Sequence, residues 1–303
     1  RRFDARADTI KSDWNSQAMS TGSKPWDASW LERVRANMFA PAHAAISDWE
    51  RFPWHFGAPS LHSSQILAAD VFGTIQTRGD QMRDAVLSAV AEKVGVSPEG
   101  PWRLELEWQD SKNLLAEKTP TQVDAVAFGA NAIILFECKF TEGGGGCSQI
   151  KPDKHGAAAC DGSYALQQNP RSKAFARCAL PAKGIKYWDF IPAVYDLSAE
   201  TDYAPCPFAF DAYQWMRNLA LAYCLEQTTA KNAVVVAAYA DAEHLQTAHK
   251  VRHGGLGLPP KDPNRAIKPL SYQALISIAK VAAPDPIWEA LSDWVLRKIE
   301  STA

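Results

Sequence analysis

No apolar run in the 303 residues approaches the length of a bilayer span. The longest, around 233–239, is sized for a strand, whereas a membrane helix needs about 20 residues. GxxxxGK, HExxH and GxSxG strings are all missing, which removes the commonest nucleotide-binding, zinc-protease and serine-hydrolase signatures. Neither sign of charge is in surplus: 32 Lys and Arg against 34 Asp and Glu leave a formal net charge of -2. Whole-molecule attraction for nucleic acid is thereby excluded, so such binding would have to come from local basic patches. The chain opens Arg1-Arg2 with no secretory pattern, and its six cysteines include no CxxC pair. Six cysteines in a chain this long, without a secretory signal, argue against a disulfide framework and predict a reducing, cytoplasmic setting with no membrane partner.

What remains is an ordinary globular composition, 47% hydrophobic and 22% charged, with ample material for one large core. Residues 1–58 are rich in tryptophan (Trp14, Trp26, Trp30, Trp49, Trp54), and helical spacing is found at 29–38 and 41–52. Further helices are predicted at 63–72 and 79–94. Strands are predicted at 102–108, 122–128 and 132–140 from their alternating or continuous apolar character. Gly143, Gly144, Gly145 and Gly146 then open a loop-rich stretch that lasts to about Cys206. A helix at 212–227, a buried strand at 232–239, a basic Gly- and Pro-rich loop at 251–270 and helices at 272–281 and 286–299 complete the chain. Strands interleaved with helices in this order predict an α/β fold, a mixed central sheet flanked by helices.

The chemistry is concentrated in 121–140, TQVDAVAFGANAIILFECKF. Two apolar strands flank Gly129-Ala130-Asn131-Ala132, a short turn built of residues that tolerate unusual backbone angles. If the hairpin closes symmetrically about Ala130 and Asn131, the numbers of facing residues sum to 261, and Asp124 opposes Glu137. Alternation puts Lys139 on the face of Glu137 and turns Cys138 the other way. Like charges directly opposite on a sheet cost about 0.2 to 1 kcal/mol, and more where water is excluded. A packed core gains nothing from that arrangement. A divalent cation between the carboxylates relieves it, since hard cations favour oxygen ligands, and the main-chain carbonyl of Cys138 offers a further oxygen. Lys139 would position or help deprotonate the attacking water, or balance the charge of an in-line phosphoryl transition state. Glu-x-Lys alone is a common string; the apolar flanks, the turn and the facing Asp give it meaning. The structural alternative is a salt bridge on an edge strand.

A strand carrying Asp, a turn, then a strand ending Glu-x-Lys resembles the PD-(D/E)xK nuclease superfamily, which includes the restriction endonucleases. The resemblance spans about 63–241. It implies a restriction-endonuclease-like domain over 59–303, preceded by a helical extension over 1–58 and interrupted by a Cys-bearing insertion at about 141–210. It also implies a Mg2+-dependent nuclease, with Mn2+ able to substitute. Asp124 and Glu137, with the carbonyl of Cys138, would be the metal ligands, and Lys139 the catalytic ammonium. The expected substrate is nucleic acid, DNA in the first place, and the superfamily leaves room for a homodimer. Val123 departs from the motif's usual proline before the Asp. The competing reading is a catalytically inactive nucleic-acid-binding module of the same fold.

Accessory candidates follow. Gln214 and Arg217 lie three apart at the start of the 212–227 helix and share a face. Arg217 would hold a phosphate there, whereas helix capping and solvated surface is the plainer explanation. On the 63–72 helix the resemblance implies an extra metal or water ligand, for which Gln65 is preferred to Asp70, against simple burial at a helix–sheet contact. Glu105 and Glu107 alternate on the preceding strand and could face the site, although such alternation is more often the wet face of a strand. Cys147, Cys160, Cys178 and Cys206 all fall in the insertion, where four thiolates suit Zn2+ or an iron–sulfur cluster; unpaired thiols are the alternative. Between Lys151 and Lys186 there are seven Lys or Arg and two acidic residues, and Lys250, Arg252, Lys261, Arg265 and Lys268 make the 251–270 region basic. Both stretches could track a phosphate backbone, although charge runs are more often solvated loop.

Overall fold

The computed structural model of the chain describes residues 27–151, 159, 160, 162, 178–195, 206–252 and 260–303. Trp14 and Trp26, most of the predicted 1–58 extension's first half and much of the basic 151–186 stretch lie outside those residues.

Helix ends are set by local chemistry. Helix α1 (Ala28–Asn37) starts where the Asp27 carboxylate accepts the Trp30 amide at 2.7 Å. Ser63 caps α2 (Ser64–Thr77) in the same way, at 3.3 Å from the Ile66 amide. The predicted helix at 41–52 is a short 3-10 helix, Ala40–Ala45, followed by turns. Helix α3 (Asp80–Val94) stops at Gly95, whose φ of 82° lets its amide return to Ala91 and Glu92.

Three strands then form an antiparallel meander: β1 (Arg103–Gln109), β2 (Gln122–Phe128) and β3 (Ala132–Lys139). Phe128 faces Ile133, Val126 faces Leu135, and Ala125 faces Phe136, the register expected from the turn. Gly129 is needed at that turn, because a Cβ there would lie 2.8 Å from the Trp102 ring. After the short helices α4 (Ala179–Ala182) and α5 (Tyr187–Val194), the long helix α6 (Tyr213–Thr229) crosses over to β4 (Asn232–Tyr239), which runs parallel to β3. Helix α7 (Gln246–Arg252) leads to β5 (Lys268–Ser271), parallel to β4 at the sheet's far edge. The 251–270 stretch was expected to be loop throughout. Its last residues instead form this strand, and Pro269 is admitted because only an edge strand can spare an amide. Helices α8 (Tyr272–Ala282) and α9 (Ile287–Glu300) close the fold.

Alternate residues of the sheet feed two cores. Ile134, Phe136, Val234 and Val236 pack beneath α2, α3, α8 and α9, while Ile133, Leu135, Val235 and Ala237 pack against α5 and α6. Trp30, Val34, Met38 and Trp54 belong to the first of these cores. Among the described residues no helix is long and apolar enough to cross a membrane.

Asp70, weighed from the sequence as a site residue, is a structural group. It is fully buried and accepts the Phe39 amide at 2.6 Å and Trp294 Nε1 at 2.8 Å, with Lys298 Nζ 2.8 Å away. Burial pushes its pKa up, opposed by Lys298. Removing one member strands a buried charge. Asp70→Ala is expected to cost about 3–5 kcal/mol of unfolding free energy, measured by urea denaturation. A loss within the scatter of surface substitutions would show that the pair does not tie α2 to α9.

Candidate active site

The acidic residues meet where the sheet changes phase. Leu104 and Leu106 of β1 pack with the first core, yet Trp108, of the same parity, packs with the second. The break falls at Glu107, whose φ of 50° lies in the left-handed region that side chains other than glycine seldom adopt. On β2 the same break separates Ala125 and Ala127 from Val123. Register survives it: Leu106 pairs with Ala125 and Trp108 with Val123, so Glu107 stands opposite Asp124. The β2–β3 ladder ends at the Ala125–Phe136 pair; just beyond it the Asp124 carboxylate turns to the Cys138 amide, which sets it beside Glu137. Three carboxylates therefore form a row across β1, β2 and β3. A strained backbone residue costs on the order of 1–3 kcal/mol and is kept where its surroundings over-determine it.

Helices on both faces supply partners to the row. From α2, Gln65 Nε2 donates to Glu107 Oε1 at 2.7 Å, and Gln122 Nε2 donates to the other oxygen at 2.7 Å. Gln65 is itself fixed, its Oε1 accepting the His55 amide at 2.7 Å and its amide donating to the Pro53 carbonyl at 3.1 Å. Asp124 accepts the Cys138 amide at 2.6 Å. Lys139 Nζ lies 2.5 Å from Glu137 Oε1 and 5.6 Å from the centre of the Trp215 ring. The second Glu137 oxygen accepts from Asn218 of α6. Glu137 and Lys139 are buried, whereas Asp124 keeps partial exposure.

Burial dominates the proton affinities, and neighbours then split them. Asp124 is pushed from 3.8 up to about 7, by burial and then by Glu137. Glu107 is raised well above the carboxylate range by burial and then Asp124. Burial would raise Glu137 too, but Lys139, then Arg217, hold it below its ordinary value. Lys139 would be lowered by burial; Glu137 and Asp124 more than reverse this, so it stays charged. An ammonium held this firmly supplies charge and is not suited to removing a proton from water.

The accessory candidates divide. Gln65 joins the row through Glu107, while Glu105 pairs with Arg103 at the sheet edge. Arg217 reaches the Gln122 carbonyl at 3.3 Å, and its buried Nε has no partner among the described residues. Gln214 lies against Gly145, and its amide donates to the Gly144 carbonyl at 3.0 Å. The glycine run thus satisfies the first amides of α6, with Tyr213 donating to Gly145 at 3.1 Å. A Cβ at Gly143 or Gly144 would collide with Asp211 or Trp215. Asn218 escaped the sequence reading. Its signal was an amide at a fully buried position among Leu219, Ala220 and Leu221. In the basic 251–270 region, Arg252 pairs with Asp241, Arg265 with Glu226, and Lys250, just before it, with Asp211. Among the described residues no three His, Cys, Asp or Glu side chains are gathered into a preformed metal cage.

A five-stranded mixed sheet of this order, helices on both faces and the acidic set at its end define a restriction-endonuclease-like α/β core. The chain belongs to the family described as Restriction Endonuclease associating with ARP, whose model matches residues 29–296. That family points to a nuclease and to nucleic acid as its substrate. No curated protein and no solved structure matches the chain.

The Asp124 shift sets a pH dependence. Its folded pKa is raised, so between 3.8 and about 7 the folded chain holds a proton that the unfolded chain has released. Stability from this group is complete below the lower value and is lost as pH rises through the upper one. Glu107 acts in the same direction. Without added metal, the melting temperature is expected to fall across that interval, and Asp124→Asn should flatten the fall. A variant with the same slope as wild type would rule out this origin.

Proposed function

We propose that this chain is a magnesium-dependent endonuclease that hydrolyses phosphodiester bonds in DNA at the carboxylate row. The observation that carries the reading is three buried or half-buried carboxylates brought together from adjacent strands, with an ammonium at their side. Asp124, Glu137 and the main-chain carbonyl of Cys138 are the ligands it assigns to the metal. An all-oxygen set suits a hard cation, Mg2+ or Mn2+ in its place. The residues fit such an ion because burial first, and then Glu137 beside Asp124 and Asp124 beside Glu107, raise the proton affinities of these two carboxyls, a strain that a divalent charge relieves. When bound, the ion supplies Lewis acidity and a water of lowered pKa.

The chain's own residues account for the remaining work. Lys139, held protonated between Glu137 and the Trp215 ring, balances negative charge as it builds on the phosphoryl oxygens. Arg217, whose Nε has no partner among the described residues, suits a phosphate oxygen. Glu107, raised by burial and then by Asp124, would take a proton from the attacking water only once the charge of the bound ion had displaced its own. Gln65 and Gln122 hold that carboxyl in place. The family's description as restriction endonucleases favours DNA over RNA.

Digestion of plasmid, linear duplex and single-stranded DNA with Mg2+ or Mn2+ tests the reading. Cleavage is expected with metal and not with chelator. Asp124→Ala and Lys139→Met should each lower the rate by roughly 100-fold or more, with DNA binding by Lys139→Met retained. Undiminished cleavage by Asp124→Ala would remove the site assignment. DNA binding by the wild-type chain without cleavage under either metal would favour the inactive module instead.

A further inference from the structure

Outside the acidic row, the densest group of metal-ligating side chains is sulfur. Four of the six cysteines, Cys147, Cys160, Cys178 and Cys206, line one cavity, although they come from well-separated parts of the chain. All four are buried, and none forms a disulfide. The rest of the lining is apolar, with Ile150, Trp188, Phe208 and Met216 among it.

Donors converge on the sulfurs. Trp188 Nε1 donates to Cys178 Sγ at 3.2 Å, and the Gly162 amide to Cys160 Sγ at 3.4 Å. Backbone amides of Gln149 and Ile150 approach Cys147, the Leu180 amide approaches Cys178, and Cys160 and Cys178 lie within hydrogen-bond reach of each other. A neutral thiol is a weak acceptor and gains little from such donors, whereas a thiolate gains a charge-assisted bond. Four buried thiolates also need a cation, since unpaired charge in an apolar pocket is prohibitive. Their softness selects zinc or iron–sulfur centres over magnesium.

We propose that Cys147, Cys160, Cys178 and Cys206 are the ligands of a tetrathiolate metal centre, a zinc ion or an iron–sulfur cluster, separate from the acidic row. The sulfurs face a shared cavity without being closed into a cage among the described residues, so loading draws them inward and releases the thiol protons. The centre's role is structural. Met216 of α6 lines the same cavity, and this helix carries Trp215 to Lys139 and Asn218 to Glu137. Cys147 follows the glycine run, and its amide donates to the Ala209 carbonyl at 2.7 Å, just before α6 begins. Metal at the four sulfurs therefore braces the helix that holds the row. The proposal stands whether or not the row cleaves DNA.

The test is elemental analysis of the full chain, purified without chelator in air and under nitrogen, with acid-labile sulfide and visible absorption read in parallel. About one zinc per chain is the result expected for a single ion. Iron with matching sulfide and visible colour is the result for a cluster, and either supports the proposal. Cys160→Ser and Cys206→Ser should each lower metal content by about tenfold or more, while Cys224→Ser, outside the cavity, retains it. Should the serine variants not fold, titrating wild-type thiols with an organomercurial must release metal in step with thiol modification. A wild-type chain that holds neither zinc nor iron, and takes up neither on reconstitution, overturns the proposal. So does equal loss of metal from Cys224→Ser.

Discussion

Repulsion between like charges that the sheet's register forces together is the constraint around which the rest of the molecule is arranged. Glu107, Asp124 and Glu137 come together because the β1–β2 pairs on either side of Glu107 and the end of the β2–β3 ladder bring their strands side by side there. Solvent would screen three such charges, but here burial removes most of it. The protein answers with partners of different kinds: the Lys139 ammonium, the amides of Gln65, Gln122 and Asn218, and the Cys138 backbone amide. The outcome is unequal. Glu137 is held ionised, while Asp124 and Glu107 are left with a strong appetite for positive charge. Titratable groups pushed apart in this way are a frequent mark of chemistry.

Helix α6 is the element through which that arrangement is transmitted. Its first turn is satisfied by glycine carbonyls, its next residues reach Lys139 and Glu137, and its buried side packs on the cysteine-lined cavity. Gly143 and Gly144 allow a backbone approach that any larger residue would prevent. The acidic row and the sulfur-lined cavity are thus coupled by one helix.

The hairpin was legible because its information is local. A turn of Gly129 to Ala132 between two apolar runs fixes the register, and period-two alternation then positions Glu137 and Lys139. Cross-strand contact between Glu107 and Asp124 was less legible, because it depends on a 12-residue connection between β1 and β2 whose path no local pattern sets. Nor could alternation reveal the reversal of phase at Glu107, since that rests on a backbone angle. Asn218 was hidden by the apolar pattern of its helix, and β5 by a proline and a lysine that discourage a strand reading. Cysteine count and position suggested a metal, but irregular spacing gave no sign that the four would share one cavity.

Pro269 has a consequence beyond its own strand. A sheet grows by adding a chain to the free amides and carbonyls of its outermost member, and a proline there interrupts the ladder. At the opposite border, charged Arg103 and Glu105 and the kink at Glu107 spoil the flat template that another strand would need. Both borders are therefore poor seeds for edge-to-edge accretion, and larger assemblies are left to form over the helical faces or the loop-bearing end of the sheet.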